Sequence, residues 1–178
     1  MLKKGAAERA LGRAVSTGGD FAEIFYEDTR SSRIGQTDDR IDTATTGRIH
    51  GAGLRVYKET NSVYVHTNDT SDAGLMALAE RAADAVDSVR GEDRQIQLSG
   101  SIVKNIHEIR ELPMDVSGER RRALVREACR AARAESAEIA HVTGALWDWE
   151  QSVTIANTEG MFVSDQRVYT RASVTAVA

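Results

Sequence analysis

Apolar side chains recur along the chain with two periods, one near 3.6 residues and one of 2, and the alternation between the two lays out the elements. Ala7, Leu11, Ala14 and Val15 share one helical face and Gly18-Gly19 follow as a stop, so a first helix is expected to end near Thr17. A longer helix is expected over residues 71–90. Ser71 is its N-cap, Leu75, Leu78, Ala79, Ala82, Val86 and Val89 form one stripe, and Gly91 closes it. A third begins after Ser117, with Leu124, Val125, Ala128, Cys129 and Ala132 inward and Arg122, Arg126, Arg130 and Arg133 at other positions.

The period of 2 appears between the first two helices. In residues 21–27, Ile24 and Tyr26 can face a core while Glu23 and Glu27 face water. Further strands are expected at 31–36, 40–46, 48–57 and 62–67, with turns at Thr37-Asp38-Asp39 and Glu59-Thr60-Asn61, which together read as an antiparallel meander. After the third helix the order recurs, with strands at 139–149, 152–156 and 161–178 and a turn at Asn157-Thr158-Glu159-Gly160. The expected fold is therefore α+β: two similar helix-plus-antiparallel-sheet units, residues 1–91 and 117–178, arising by internal duplication and held in one compact domain. Residues 21–26 should then correspond to 139–144. Residues 92–116, with the single proline Pro113, show no sustained period and are expected to form an extended connector.

Composition narrows the function classes. At 178 residues a chain buries about 70% of the surface its unfolded form exposes, so its core needs no disulfide or metal staple. A net charge of −4 disfavours nucleic acid as the main partner. The longest apolar run, residues 75–79, is far too short to span a bilayer, and Glu8, Arg9 and Arg13 interrupt the N-terminus where a signal peptide would be apolar. The one cysteine, Cys129, fits a reducing compartment, so the chain is expected to be cytoplasmic.

Each chemical candidate has an ordinary rival. The histidines His50, His66, His107 and His141 contain no i, i+4 pair, so a compact local zinc site is not expected. His107-Glu108 begins like a metalloprotease helix, but Glu111 stands where the second histidine belongs. Whether His50 and His66 share a sheet face depends on the register. Gly51-Ala52-Gly53 lacks the third glycine and following helix of a dinucleotide fingerprint, so these glycines read as a bulge or a close backbone approach. Cys129 lies in an apolar stripe and reads as core. Trp147 and Trp149 fall on one side of a strand, as core, subunit interface or an exposed recognition pair. The arginines of the third helix are interspersed with Glu119, Glu127 and Glu135, which suits a solvated face better than a nucleic-acid stripe. No catalytic, cofactor-binding or metal-binding residue is assigned.

Five stretches occur in order along the chain: Gly19-Asp20-Phe21-Ala22-Glu23, Asp39-Arg40-Ile41-Asp42, Gly51-Ala52-Gly53-Leu54-Arg55-Val56, Val63-Tyr64-Val65-His66-Thr67-Asn68-Asp69 and Asn157-Thr158-Glu159-Gly160. Together they resemble the N-terminal region of the TldD/PmbA family, proposed modulators of DNA gyrase, with the TldD branch the nearer. The resemblance implies a dimeric zinc metallopeptidase acting on flexible peptides and small proteins such as microcin precursors and antitoxins, its partner a second copy or another family member. The family's H-E-x-x-x-H helix lies downstream of the matched region and is absent here, so zinc is expected in a longer parent and not in this chain. The chain is then a noncatalytic N-terminal module, and the parent is expected to continue beyond Ala178. The rival is a free-standing protein- or peptide-binding domain, with gyrase or DNA binding a third reading.

Overall fold

Helices and strands follow the two periods in the order α1 (Lys4–Ala14), β1 (Phe21–Thr37), β2 (Arg40–Lys58), β3 (Asn61–Thr67), α2 (Asp72–Val86), β4 (Ser99–Ile102), α3 (Gly118–Ala134), β5 (His141–Asn157) and β6 (Met161–Val177). A single 3-10 turn, Pro113–Asp115, precedes α3. This is a computed structural model, and it describes residues 1–87, 91–104 and 108–178. The architecture is α+β, and its six strands are ordered β3-β2-β1-β5-β6-β4. A helix followed by a hairpin occurs twice, as α1-β1-β2 and α3-β5-β6.

The strands are longer and fewer than expected. Residues 21–27 and 31–36 belong to one strand, because Asp28-Thr29-Arg30 holds no Gly or Pro to break it and Thr29 is buried. The two strands expected within 40–57 are likewise one. Ile41 packs at the edge of one core, and Ala52, Leu54 and Val56 line the other. Residues 139–149 and 152–156 also merge, into β5. The hairpin registers are antiparallel, with Gly53 opposite His66 and Lys58 opposite Asn61. The connector expected at 92–116 instead contains β4, which pairs parallel to β6 with Ser99 opposite Met161. Four residues, Ser-Gly-Ser-Ile, are too few to show a period, and the partner strand alone makes them a strand.

Two compact units share these strands. The first comprises residues 1–28, 49–104 and 152–166. Here Ala22, Ile24 and Tyr26 of β1 and Ala52, Leu54 and Val56 of β2 form the sheet side of a core closed by α1 and α2. From α1 come Ala6, Ala7, Ala10, Leu11 and Ala14, and from α2 come Leu75, Leu78, Ala79 and Ala82. Leu11, Ile24, Leu54, Leu75 and Leu78 are fully buried, each contributing about 1.5–3 kcal/mol through burial. Alanine at the helix contacts allows close approach, and Thr17 donates its hydroxyl to the Ala83 carbonyl at 2.8 Å. α1 ends at Ala14, three residues before the expected Thr17. Ser71 caps α2 as expected, its Oγ accepting from the Gly74 amide at 3.1 Å. α2 is followed by an extended Asp87, and the expected continuation through Val89 and Arg90 lies outside the described residues.

The second unit comprises residues 29–48, 105–151 and 167–178. Its apolar core is small: Ile34, Val125, Cys129, Val142 and Leu146, with Ile41, Ala132 and Ile139 packed at the edge. Ser117 caps α3, accepting from the Arg120 amide at 3.2 Å. The inward stripe expected from Leu124 is rotated, since Leu124 is exposed and Arg121, one turn before Val125, points inward instead. The reason is chemical, because the sheet opposite Arg121 carries the buried carboxylate of Asp148.

Candidate functional site

Polar groups concentrate in the second unit, at two places beneath or beside α3. Asp148, only 3% exposed, accepts from the Arg121 guanidinium at 3.5 Å and from the Thr170 hydroxyl at 2.9 Å. Arg121 also donates to the Ser32 hydroxyl. Nearby, buried Glu150 accepts from the Met114 amide at 2.6 Å. The other place is the β1–β2 turn, where Asp38 adopts a left-handed φ of 51° that an aspartate tolerates well. Its carboxylate accepts from the Val142 amide at 3.0 Å, from the Arg133 guanidinium, and pairs with His141 Nδ1 at 3.1 Å. The backbone hydrogen bond from Val142, followed by the bond to His141, holds this carboxyl below the usual carboxylate range. Both arrangements tie α3 and neighbouring strands together, and only the buried Arg121 Nε among the donors named lacks a partner.

The histidines do not converge. His66 stands opposite Gly53 and so lies on the other side of the sheet from His50, which is an odd number of positions away from Gly53. On the helix side, His50 Nε2 meets the Thr70 hydroxyl at 2.9 Å and its ring sits edge-on to Tyr26. On the far side, His66 stacks on Tyr64, with centroids 6.2 Å apart. His141 is engaged with Asp38, and His107 lies outside the described residues. Among the described residues no three His, Cys, Asp or Glu side chains are grouped so that they could hold a metal. The donors among the described residues therefore do not fit a zinc ion. Burial pushes the Cys129 thiol up from its ordinary value, and its sulfur packs where a side chain at Gly144 would have to go. Gly51 and Gly53 serve close approach: a Cβ on the first would stand 2.8 Å from the Thr67 carbonyl oxygen, and the second lies under the Tyr64 ring.

Among the described residues of each unit, the sheet face turned away from that unit's own helices carries the exposed aromatic side chains. In the first unit it presents Phe25, Ile49, Tyr57, Tyr64 and His66. In the second unit Trp147 and Trp149 lie on this side and outside the core, with Trp149 46% exposed. Trp147 stands between two arginines, Arg33 of β1 at 5.3 Å and Arg171 of β6 at 5.7 Å from its ring centre. Trp149 packs against Tyr169 at 6.1 Å. The parity of the two tryptophans was visible in the sequence; the arginines were not, since they arrive from strands far away in the chain. The arginines of α3 that looked like a basic face are divided in use: Arg126 and Arg130 are exposed, whereas Arg133 is committed to Asp38.

Known proteins match both parts of the chain. PmbA/TldA metallopeptidase domain 1 matches residues 22–86, and the PmbA/TldA metallopeptidase central domain matches residues 111–178, in that order and over about three quarters of the chain. The chain belongs to the TldD/PmbA family.

The domain 1 match runs from β1 through α2, and the central-domain match takes in the 3-10 turn, α3, β5 and β6. A metalloprotease of Methanothermobacter thermautotrophicus is 27% identical over 144 residues, covering 81% of this chain and 31% of the relative. Two family structures share the fold. One, a proposed modulator of DNA gyrase from Bacteroides thetaiotaomicron, aligns over 99% of this chain and 42% of its own, with a TM-score of 0.71 and 12% identity. The other, TldE from Thermococcus kodakarensis, aligns over 97% of this chain and 40% of its own, with a TM-score of 0.64 and 14% identity. The chain thus spans about a third to two fifths of the length of these TldD/PmbA relatives.

Proposed function

We propose that the chain is the noncatalytic N-terminal module of a TldD/PmbA-like zinc metallopeptidase, shaping a dimer and a substrate chamber for flexible peptides. One observation carries this reading: domain 1 and the central domain of the family follow one another in a chain whose sequence holds no H-E-x-x-x-H motif. A catalytic zinc needs three protein ligands and an open position. The described histidines are divided between opposite sheet faces or engaged by Asp38. The single cysteine, which suits a reducing compartment, supports a cytoplasmic module. Its partners are a second family subunit and flexible peptide substrates.

The test is to read the gene past the codon for Ala178 and to compare the chain with its extended form. The extension is expected to encode H-E-x-x-x-H and to bring zinc binding and chelator-sensitive peptide cleavage that residues 1–178 lack. Stoichiometric zinc retained by residues 1–178 through dialysis, with peptidase activity lost on chelation, sinks the reading. A stop codon after Ala178 favours a free-standing binding domain instead, a reading supported by the exposed aromatic side chains on the sheet face of each unit turned away from its own helices.

A further inference from the structure

We propose that the helix-free face of the second unit docks an extended, acidic peptide segment, gripped by Arg33 and Arg171 on either side of Trp147. The inference concerns residues of this chain alone and does not depend on the module reading.

β5 lies between β1 and β6, so the two guanidinium groups approach the Trp147 indole from opposite flanking strands. Stacking on the indole limits the rotamers of two side chains that otherwise carry about 2 kcal/mol of rotamer entropy each, so their donors are ordered before any ligand arrives. Both arginines are exposed, and among the described residues neither has a carboxylate within ion-pair distance. Arg9, Arg13, Arg110, Arg120, Arg121 and Arg133 each hold an aspartate or glutamate, whereas exposed Arg126 and Arg130 hold none among the described residues, and Arg33 and Arg171 differ from these two in sharing the Trp147 ring. Arg33 and Arg171 are thus ordered cations with unused donors, flanking an aromatic side chain in a row across the strands.

Several ligands carry negative charge, and the geometry separates them. A nucleic-acid strand would bind such a face by stacking its bases on the aromatic rings. Here the Trp147 ring has a guanidinium over it from each flanking strand, and Trp149 is packed on Tyr169. Carboxylates, by contrast, accept paired hydrogen bonds from the guanidinium fork while leaving its stacking on the indole intact. A row of side chains across neighbouring strands suits an extended segment. Trp149 and Tyr169, one pair further along β5 and β6, offer apolar contact to the ligand's backbone or aliphatic stems. Because the chain as a whole carries a net charge of −4, attraction to an acidic ligand has to come from these local cations.

Trp147 and Trp149 are the two tryptophans of the chain, so intrinsic fluorescence reads the surface directly. Titrating residues 1–178 with a capped octaglutamate peptide is expected to give a saturable change in emission that weakens as salt shortens the screening length. Arg33→Gln and Arg171→Gln should each weaken binding by about tenfold, the factor of one charge-assisted hydrogen bond. Arg126→Gln, on the exposed side of α3, should leave it unchanged. A capped octalysine peptide should give no saturable change. Thermal unfolding of R33Q/R171Q should match the parent, showing that the fold is kept. Emission indifferent to octaglutamate overturns the proposal, as does an undiminished response in R33Q/R171Q. Equal affinity for an oligothymidylate overturns it in favour of a nucleic-acid surface.

Discussion

The two units close the same kind of sheet face by different means. In the first, twenty buried side chains form one apolar cluster, and α1 and α2 meet it through alanines and leucines. In the second, five buried side chains form the apolar cluster, and α3 is held as much by Arg121 on Asp148 and Arg133 on Asp38 as by Val125 and Cys129. An apolar cluster depends on volume and tolerates a change of charge around it. A buried pair depends on both partners being present, since removing one leaves a charge without compensation. The units should therefore fail differently when cut.

The largest loss is expected from Asp148→Ala, at about 3–5 kcal/mol by urea denaturation, because Arg121 is left 13% exposed with no carboxylate. Adding Arg121→Met to it should restore most of that loss. The matching cut in the first unit, Leu78→Ala, should cost about 2–5 kcal/mol and admit no rescue by a second polar change. If the Arg121→Met addition rescues nothing, the charged pair is not what distinguishes the second unit.

Helix positions separate the units in what could be read beforehand. α2 was legible from its cap to Val86, because Ser71, the Leu and Ala stripe and burial all agree. α3 was legible as a helix but not in its rotation, since the pattern counted Leu124 as inward and did not single out Arg121. A buried ion pair leaves no mark in hydrophobic periodicity, so only the sheet position of Asp148 reveals it. The family was legible from short motifs in order, although no one of them specifies it. β4 was not legible, and neither was the meeting of Arg33, Trp147 and Arg171, because both depend on pairings between distant strands.

A smaller effect sharpens the comparison at a tight apolar contact of the second unit, between Gly144 and Cys129. Gly144→Ala would place a methyl against the Cys129 sulfur and should cost about 1–3 kcal/mol through overpacking, with Cys129→Ala partly relieving it in the double variant. Additive losses in a denaturation cycle would show that the two positions do not compete for space.

The smallest effect expected is at Asp38, and it is confined to acid. Its folded pKa is depressed by the Val142 amide and His141, so its contribution is complete above the ordinary carboxylate pKa and drains away as pH falls through the lowered value. The groups facing it are the Val142 amide, His141 and Arg133. Asp38→Asn should flatten the acid limb of the stability curve while leaving the response to Leu78→Ala untouched. An acid limb of unchanged steepness would assign the pH dependence to other carboxylates.

The hydrogen bond from the Thr158 amide to the Ala22 carbonyl, 3.0 Å long, joins residues 136 positions apart. It lies within the first unit, which takes residues 152–166 from the far end of the chain. Loop closure over such a span is entropically costly and makes assembly slow compared with local hairpins. During synthesis, α1, β1, β2, β3 and α2 emerge first and wait, with one side of β1 unpaired, until β5 has left the ribosome. The exposed strand edge of that waiting intermediate is where a chaperone would act or aggregation would begin.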